Sequence, residues 1–212
     1  NINGYFEDRG IKVEFVNTQN PKDALGTGKL DALTGEFAAM VVPATNGLDI
    51  VFSTSSHSGC KSLYVLNDSE ITKTSELANK SVAVTNGIGN SGHNTALRFF
   101  NHDGVNPNTI TFKPVNSAAV IQALEKGEID SVVLDDQFAY QFVESGKIRS
   151  IRSMTDDEDF GAEVCCVTAF NRKFADENPE LTKLVAEAIE EANNYMAENP
   201  EETTQILYDC LL

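Results

Sequence analysis

Apolar runs of strand length and longer amphipathic stretches alternate along this chain, and the alternation occurs twice. An aromatic pair, Tyr5-Phe6, ends a helix that Gly10 breaks in a C-cap role. A strand follows over 11–16, then a polar loop at Asn17, a helix that stops at Gly28, and a short strand over 31–33. Phe99-Phe100, Gly104, a strand over 109–115, Asn116, a helix to Gly127 and a strand over 130–134 repeat that order. Residues 16–32 align with 115–131 without a gap. Val16-Asn17 matches Val115-Asn116, Ala24-Leu25 matches Ala123-Leu124, Gly28 matches Gly127, Leu30 matches Ile129 and Asp31 matches Asp130, all at an offset of 99. Upstream, Tyr5-Phe6 and Gly10-Ile11 echo Phe99-Phe100 and Gly104-Val105 at an offset of 94.

Strands that alternate with helices predict parallel sheets covered by helices, and two such copies predict two similar α/β lobes. The second copy is preceded by a strand over 81–85, a glycine-rich loop and a helix over 91–100. The first copy shows only the last turn of that helix, around 4–8, so the repeat predicts that roughly 15 to 20 residues of strand, loop and helix stand before Asn1. Two apolar strands, at 62–66 and 164–168, read as the connectors between lobes. The expected organisation is lobe one at 1–70 plus 168–212, lobe two at 77–161, and hinge connectors at 62–76 and 162–170. Asn178-Pro179-Glu180 and Asn199-Pro200-Glu201 read as helix starts, with Asn as N-cap and Pro at the first helical position.

Composition narrows the function. Apolar residues at 41% of 212 are ordinary for a folded globular chain. A formal charge of −16 excludes nucleic acid as a partner, because phosphate contacts need Lys and Arg in excess. No apolar run reaches the roughly 20 residues of a membrane span. Four cysteines, Cys60, Cys165, Cys166 and Cys210, lack the CxxC spacing of a structural zinc site, and no metal site is assigned. Three readings stay open for Cys60, Cys165 and Cys166: inert buried thiols, a bridge from Cys60 to one of the pair, or a functional thiol or metal contact.

Several stretches resemble one known family. They are Gly4-Tyr5-Phe6 with Gly10-Ile11-x-Val13-Glu14, Ala24-Leu25-x-x-Gly28-x-Leu30-Asp31, Leu63-Tyr64-Val65, Ser75-Glu76-Leu77-Ala78-Asn79-Lys80-Ser81-Val82-Ala83-Val84, Gly127-x-Ile129-Asp130 and Asn199-Pro200. Their order and spacing resemble the nitrate/sulfonate/taurine group of ABC-transporter solute-binding proteins, the NMT1/Thi5-like family; Asn79 stands where that family usually has Gly. The resemblance implies an α/β fold of the periplasmic binding protein type (type II, a Venus flytrap) with the ligand in a cleft between two lobes. It also implies an extracytoplasmic place, periplasmic or lipid-anchored, a membrane permease as partner, a monomer, and no cofactor. The thiamine-pyrimidine synthases share this fold and carry a cysteine-rich cluster near the place of Cys165-Cys166. They make a pyridoxal phosphate-consuming enzyme the alternative, against which stands the presence here of only two of those cysteines. A sensor domain of the same fold is a third class.

Ligands of open α/β sheets sit beyond the C-terminal strand ends. That rule selects Asn17, Gly35, Glu36, Ser55 and His57 in lobe one. In lobe two it selects Asn86, Gly87, Gly89, Asn90, Ser91, His93, Asn116, Asp135 and Asp136. The 86–93 loop follows a strand and opens a helix, so its backbone N–H groups suit an anion or polar group, or make a plain turn. Glu36 and Asp135/Asp136 sit at equivalent places of the two copies, as hydrogen-bond acceptors for a ligand amine or hydroxyl, or as N-caps. His57 is read as a solvated loop residue or a ligand contact. Nothing arranges these groups for catalysis. The expected ligand is a small polar or anionic solute of the sulfonate, taurine or nitrate type, and the pairing of loop and carboxylates favours one with an anionic end and a donor end.

Overall fold

The structure, a computed structural model, describes residues Ile2–Leu211. Asn1 and Leu212, the ends of the predicted first lobe, lie outside them. The strands are β1 (Ala32–Glu36), β2 (Ile50–Ser58), β3 (Lys61–Leu66), β4 (Ser81–Val84), β5 (Thr111–Pro114), β6 (Ser131–Asp135), β7 (Ile148–Ser153) and β8 (Val164–Asn171). The helices are α1 (Pro21–Gly26), α2 (Phe37–Thr45), α3 (Ser91–His102), α4 (Ser117–Glu125), α5 (Asp136–Glu144), α6 (Arg172–Glu177), α7 (Pro179–Glu198) and α8 (Pro200–Leu211). Short 3-10 turns stand at Glu7–Arg9, Thr74–Leu77 and Pro107–Thr109.

The chain divides into two compact units. The first comprises the stretch up to Gly35, Gly47–His57 and the chain from Cys166 on; the second comprises Glu36–Asn46 and Ser58–Cys165. The second unit holds a five-stranded sheet in the order β5-β4-β6-β3-β7, and the first a three-stranded sheet in the order β1-β8-β2. In the larger sheet β4 runs parallel to β5 and β6, while β3 is antiparallel to β6 and β7. All four residues of β4 are buried, as expected of a parallel strand covered on both faces. The strand period of two divides its core. Leu63, Val65, Val82 and Val133 pack with Phe99, Phe100 and Phe160, whereas Tyr64, Ala83, Val132 and Leu134 pack with Val120 and Leu124.

The repeat is visible in backbone detail. β1 and β6 coincide residue for residue at the offset of 99. Gly28 has φ 73° and Gly127 φ 69°, left-handed values that glycine adopts without strain. The Gly28 and Lys29 amides donate to Leu25 (3.1 Å) and Ala24 (2.8 Å); those of Gly127 and Glu128 donate to Leu124 (3.0 Å) and Ala123 (2.9 Å).

One expectation is corrected and two are sharpened. The strand over 11–16 does not form: among the described residues the 11–18 stretch pairs with no strand of either sheet. The two segments read as strands do form strands: β3 is the buried second-to-last strand of the larger sheet and β8 the middle strand of the smaller, and the division between the units falls within β8, between Cys165 and Cys166. Helices α7 and α8 start where they were read, at Pro179 and Pro200, but the Asn178 side chain makes no capping bond to α7. Asn178 and Asn199 each turn Nδ2 back onto a carbonyl four residues earlier, Phe174 (3.1 Å) or Tyr195 (2.9 Å), closing the preceding helix instead.

Cys60 and Cys165 form a disulfide, with Cα atoms 6.6 Å apart, and Cys166 stands outside it. Of the two partners the sequence left open for Cys60, the backbone geometry selects the first.

Candidate functional site

A cavity of about 520 Å³ opens in the second unit between α2 and α3. Its apolar wall includes Phe37, Val41, Val42, Met154 and Val164. Its polar groups are few and each is positioned by a specific element.

The first is Lys61, at the start of β3. Its side chain is only 3% exposed, and Nζ bonds Glu36 Oε1 at 2.6 Å and Asp135 Oδ1. Burial alone would lower the lysine pKa, but the two carboxylates outweigh it and hold the pKa above its ordinary value, so Lys61 is a cation. Glu36 and Asp135 therefore serve neither as helix caps nor as unengaged acceptors: neither side chain bonds the helix that follows it. The conserved position within the repeat is explained by the lysine between them, which the sequence reading passed over. A lysine opening the apolar run Ser62–Leu66, opposite two carboxylates at repeat-equivalent positions, was the available signal.

The second polar group is the N-terminus of α3. Gly87 (φ 85°) and Gly89 (φ 80°) let the chain turn sharply from β4 into the helix. Asn90 caps the helix, its Oδ1 accepting from the Ser91 amide at 3.1 Å, and its Nδ2 donates to the Asn86 carbonyl at 3.1 Å. His93 Nδ1 accepts from the Gly89 amide at 3.1 Å, and its ring stands edge-on to Phe112. Burial pushes the His93 pKa down, which keeps Nδ1 an acceptor. Asn94 donates to the carbonyls of Ala38 (2.7 Å) and Gly89 (3.1 Å). Ser91 lines the cavity, is fully buried, and its Oγ has no hydrogen-bond partner among the described residues. An unmatched buried hydroxyl costs stability, so it marks a place where a partner is expected. Deeper along α3, Arg98 pairs with Glu163, and its guanidinium lies 4.9 Å from the Phe160 ring centroid.

The remaining candidates are placed elsewhere. Asp136 accepts from the Tyr64 hydroxyl at 2.7 Å and from Thr155, and its amide donates to the Cys60 carbonyl. Burial and that carboxylate push the Tyr64 phenol up, so it remains a donor. Asn116 caps α4 through the Ala118 amide at 2.9 Å. In the first unit, Asn17 is exposed on the 11–18 stretch and Gly35 lies in β1. Ser55 and His57 are exposed on β2, a strand where the sequence predicted a loop.

Residues 1–203 match the family model described as NMT1/THI5 like. The chain belongs to the NMT1/THI5-like family. No curated protein sequence matches it. Among solved structures, the periplasmic aliphatic sulphonate-binding protein SsuA of Escherichia coli superposes with a TM-score of 0.80 at 19% identity, over 99% of this chain and 72% of that one. The alkanesulfonate-binding protein SsuA of Xanthomonas axonopodis pv. citri, solved bound to MOPS, gives 0.73 at 18%, over 99% and 73%. A Candida albicans protein described as having the generic periplasmic binding protein fold gives 0.75 at 13%, over 98% and 69%. The family and these likenesses establish the predicted fold class for this NMT1/THI5-like chain. No described helix is long and apolar enough to cross a membrane.

Proposed function

We propose that this protein is the solute-binding component of an ABC importer, acting outside the cytoplasm and delivering its ligand to a membrane permease. The cavity of the second unit would take a small solute with an anionic end and an apolar body. One observation carries the reading: Ser91, the first residue of α3, offers the cavity a buried hydroxyl with no partner among the described residues. The positive end of a helix dipole lies at the same place, which favours a negative group. The apolar wall supplies a surface for an alkyl chain. Family membership supports a binding role, and the sulfonates that the two SsuA proteins are named for have this build.

Lys61 changes the expected ligand. With Glu36 and Asp135 both engaged by an internal cation, the ligand needs no amine of its own. Simple alkanesulfonates therefore rank above taurine, and nitrate, lacking an apolar part, ranks below both.

A thermal-shift panel of alkanesulfonates, taurine, nitrate, amino acids and polyamines tests this. A ligand at a hundred times its Kd stabilises the fold by about 2.7 kcal/mol. Alkanesulfonates should raise Tm, and Ser91→Ala should weaken their binding by about tenfold while shifting the unliganded stability by less than about 1 kcal/mol. Stabilisation by polyamines alone would sink the anion reading. Tight uptake of pyridoxal phosphate, seen as its absorbance band, would move the protein to an enzymatic role.

A further inference from the structure

The cavity of the second unit has two polar ends. Ser91, Thr95 and Arg98 follow one another at i, i+4 and i+7 along α3, a spacing that puts them on one face of the helix, and all three line the cavity. Ser91 and Thr95 are buried, whereas the Arg98 side chain keeps 45% exposure. Seven residues lie between the backbone positions of Ser91 and Arg98, about 10 Å of helix axis. Helical side chains tilt toward the N-terminus, which brings the head of a long one back toward the start of the helix. A small solute whose anionic group sits at Ser91 therefore has its other end near Arg98.

Arg98 is held in place without being used up. Its guanidinium carbon lies 4.9 Å from the ring centroid of Phe160, a fully buried residue over which Arg152 also lies, at 4.5 Å. Its Nη2 bonds Oε1 of Glu163, which lines the same cavity. A guanidinium has five N–H donors and a carboxylate two acceptor oxygens, so the pair retains donors and acceptor capacity beyond the bond it makes. The two charges cancel. A ligand carboxylate placed here meets the like charge of Glu163, and a ligand ammonium meets that of Arg98. A neutral group that accepts from one and donates to the other meets neither.

We propose that the Arg98–Glu163 pair selects the solute by its far end, and that the preferred ligand is an alkanesulfonate carrying a terminal hydroxyl. The proposal rests on the reading of Ser91 as the anion end and adds a second pole to it. The hydroxyl oxygen accepts from the Arg98 guanidinium, and the hydroxyl donates to Glu163. The alkyl chain between the two poles lies along the apolar wall that Phe37, Val41 and Val42 supply. Arg98 is thus the residue that sets specificity among sulfonates.

Calorimetric titration with three ligands of equal length tests this: butanesulfonate with a terminal hydroxyl, butanesulfonate with a terminal amine, and pentanesulfonate. The hydroxyl ligand should bind the parent protein about tenfold more tightly than either of the others, the worth of a hydrogen bond to a charged group. Arg98→Met should erase that preference, lowering affinity for the hydroxyl ligand about tenfold and leaving pentanesulfonate within about threefold of its parent value. A half-exposed ion pair contributes little to folding, so the variant should fold, and circular dichroism checks that it does. If it does not, the ranking of the three ligands on the parent protein decides alone. Equal binding of the hydroxyl ligand and pentanesulfonate overturns the proposal and leaves the anion reading of Ser91 standing. A preference that survives Arg98→Met also overturns it. Tightest binding of the amine gives the far end to Glu163 alone and overturns it as well. Binding of none of the three sinks both readings.

Discussion

Glu36 and Asp135 stand ninety-nine positions apart and close on the same atom, Nζ of Lys61. Replacing Lys61 with Met leaves two carboxylates facing each other without their cation. The expected loss is about 3 kcal/mol, the low end for a broken buried pair, because the carboxylate side chains keep 26% and 37% exposure. The pH dependence has a definite sign. The folded pKa of Lys61 is raised, so its contribution is full below about pH 10.4, the unfolded value, and is lost as pH rises through the folded value. Denaturant unfolding from pH 8 to 12 should show this decline in the parent protein and not in Lys61→Met.

His93 gives the opposite pH response. Its folded pKa is depressed by burial, so the unfolded chain takes the proton first and stability falls as pH drops below about 6.5. Protonation also removes the acceptor of the Gly89 amide. His93→Gln should cost about 1 kcal/mol at pH 7 and flatten the part of the decline between pH 7 and 5 that this residue causes. Chemical denaturation of both proteins at the two pH values measures the difference.

Gly59 tests backbone shape next to the disulfide. Its φ is 81°, and a Cβ there would lie 2.8 Å from Thr155 Oγ1 and 3.1 Å from Thr155 Cα. The following residue, Cys60, already holds φ 95° without being glycine. Gly59→Ala adds a left-handed penalty to a clash that backbone atoms cannot easily relieve. A loss of about 2–3 kcal/mol in unfolding free energy is expected.

Much of the fold could be read from the chain because the repeat reports on itself. Gly28 and Gly127 sit in matching turns, and the strands predicted at 31–33 and 130–134 form with their ends within three residues of the places read for them. The strand at 11–16 failed for a physical reason: periodicity describes side chains, whereas a strand exists only when a neighbour takes its hydrogen bonds. β3 and β8 were legible as strands, but a short apolar run carries no information about which sheet receives it. In the site, the glycine loop and Ser91 were legible from the strand–glycine–helix order. Lys61 was not, since a single lysine beside an apolar run looks like a strand end; only the tertiary meeting with Glu36 and Asp135 gives it a role. The helix starts at Asn178 and Asn199 were legible, but not the direction of their side chains, because an asparagine between two helices can serve either one.

The Cys60–Cys165 bond has a mechanical consequence. It joins residues 105 positions apart, and within that span lie all five strands of the larger sheet. Tension applied at the two ends of the chain passes from Cys60 to Cys165 through two sulfur atoms and bypasses everything between them. Contour length on the order of 350 Å, at about 3.3 Å per residue, is thereby withheld from stretching. The larger sheet is a tethered side loop under force: the chain before Cys60 and after Cys165, α2 included, can be drawn out like thread while that sheet stays wound, until a reductant opens the clasp.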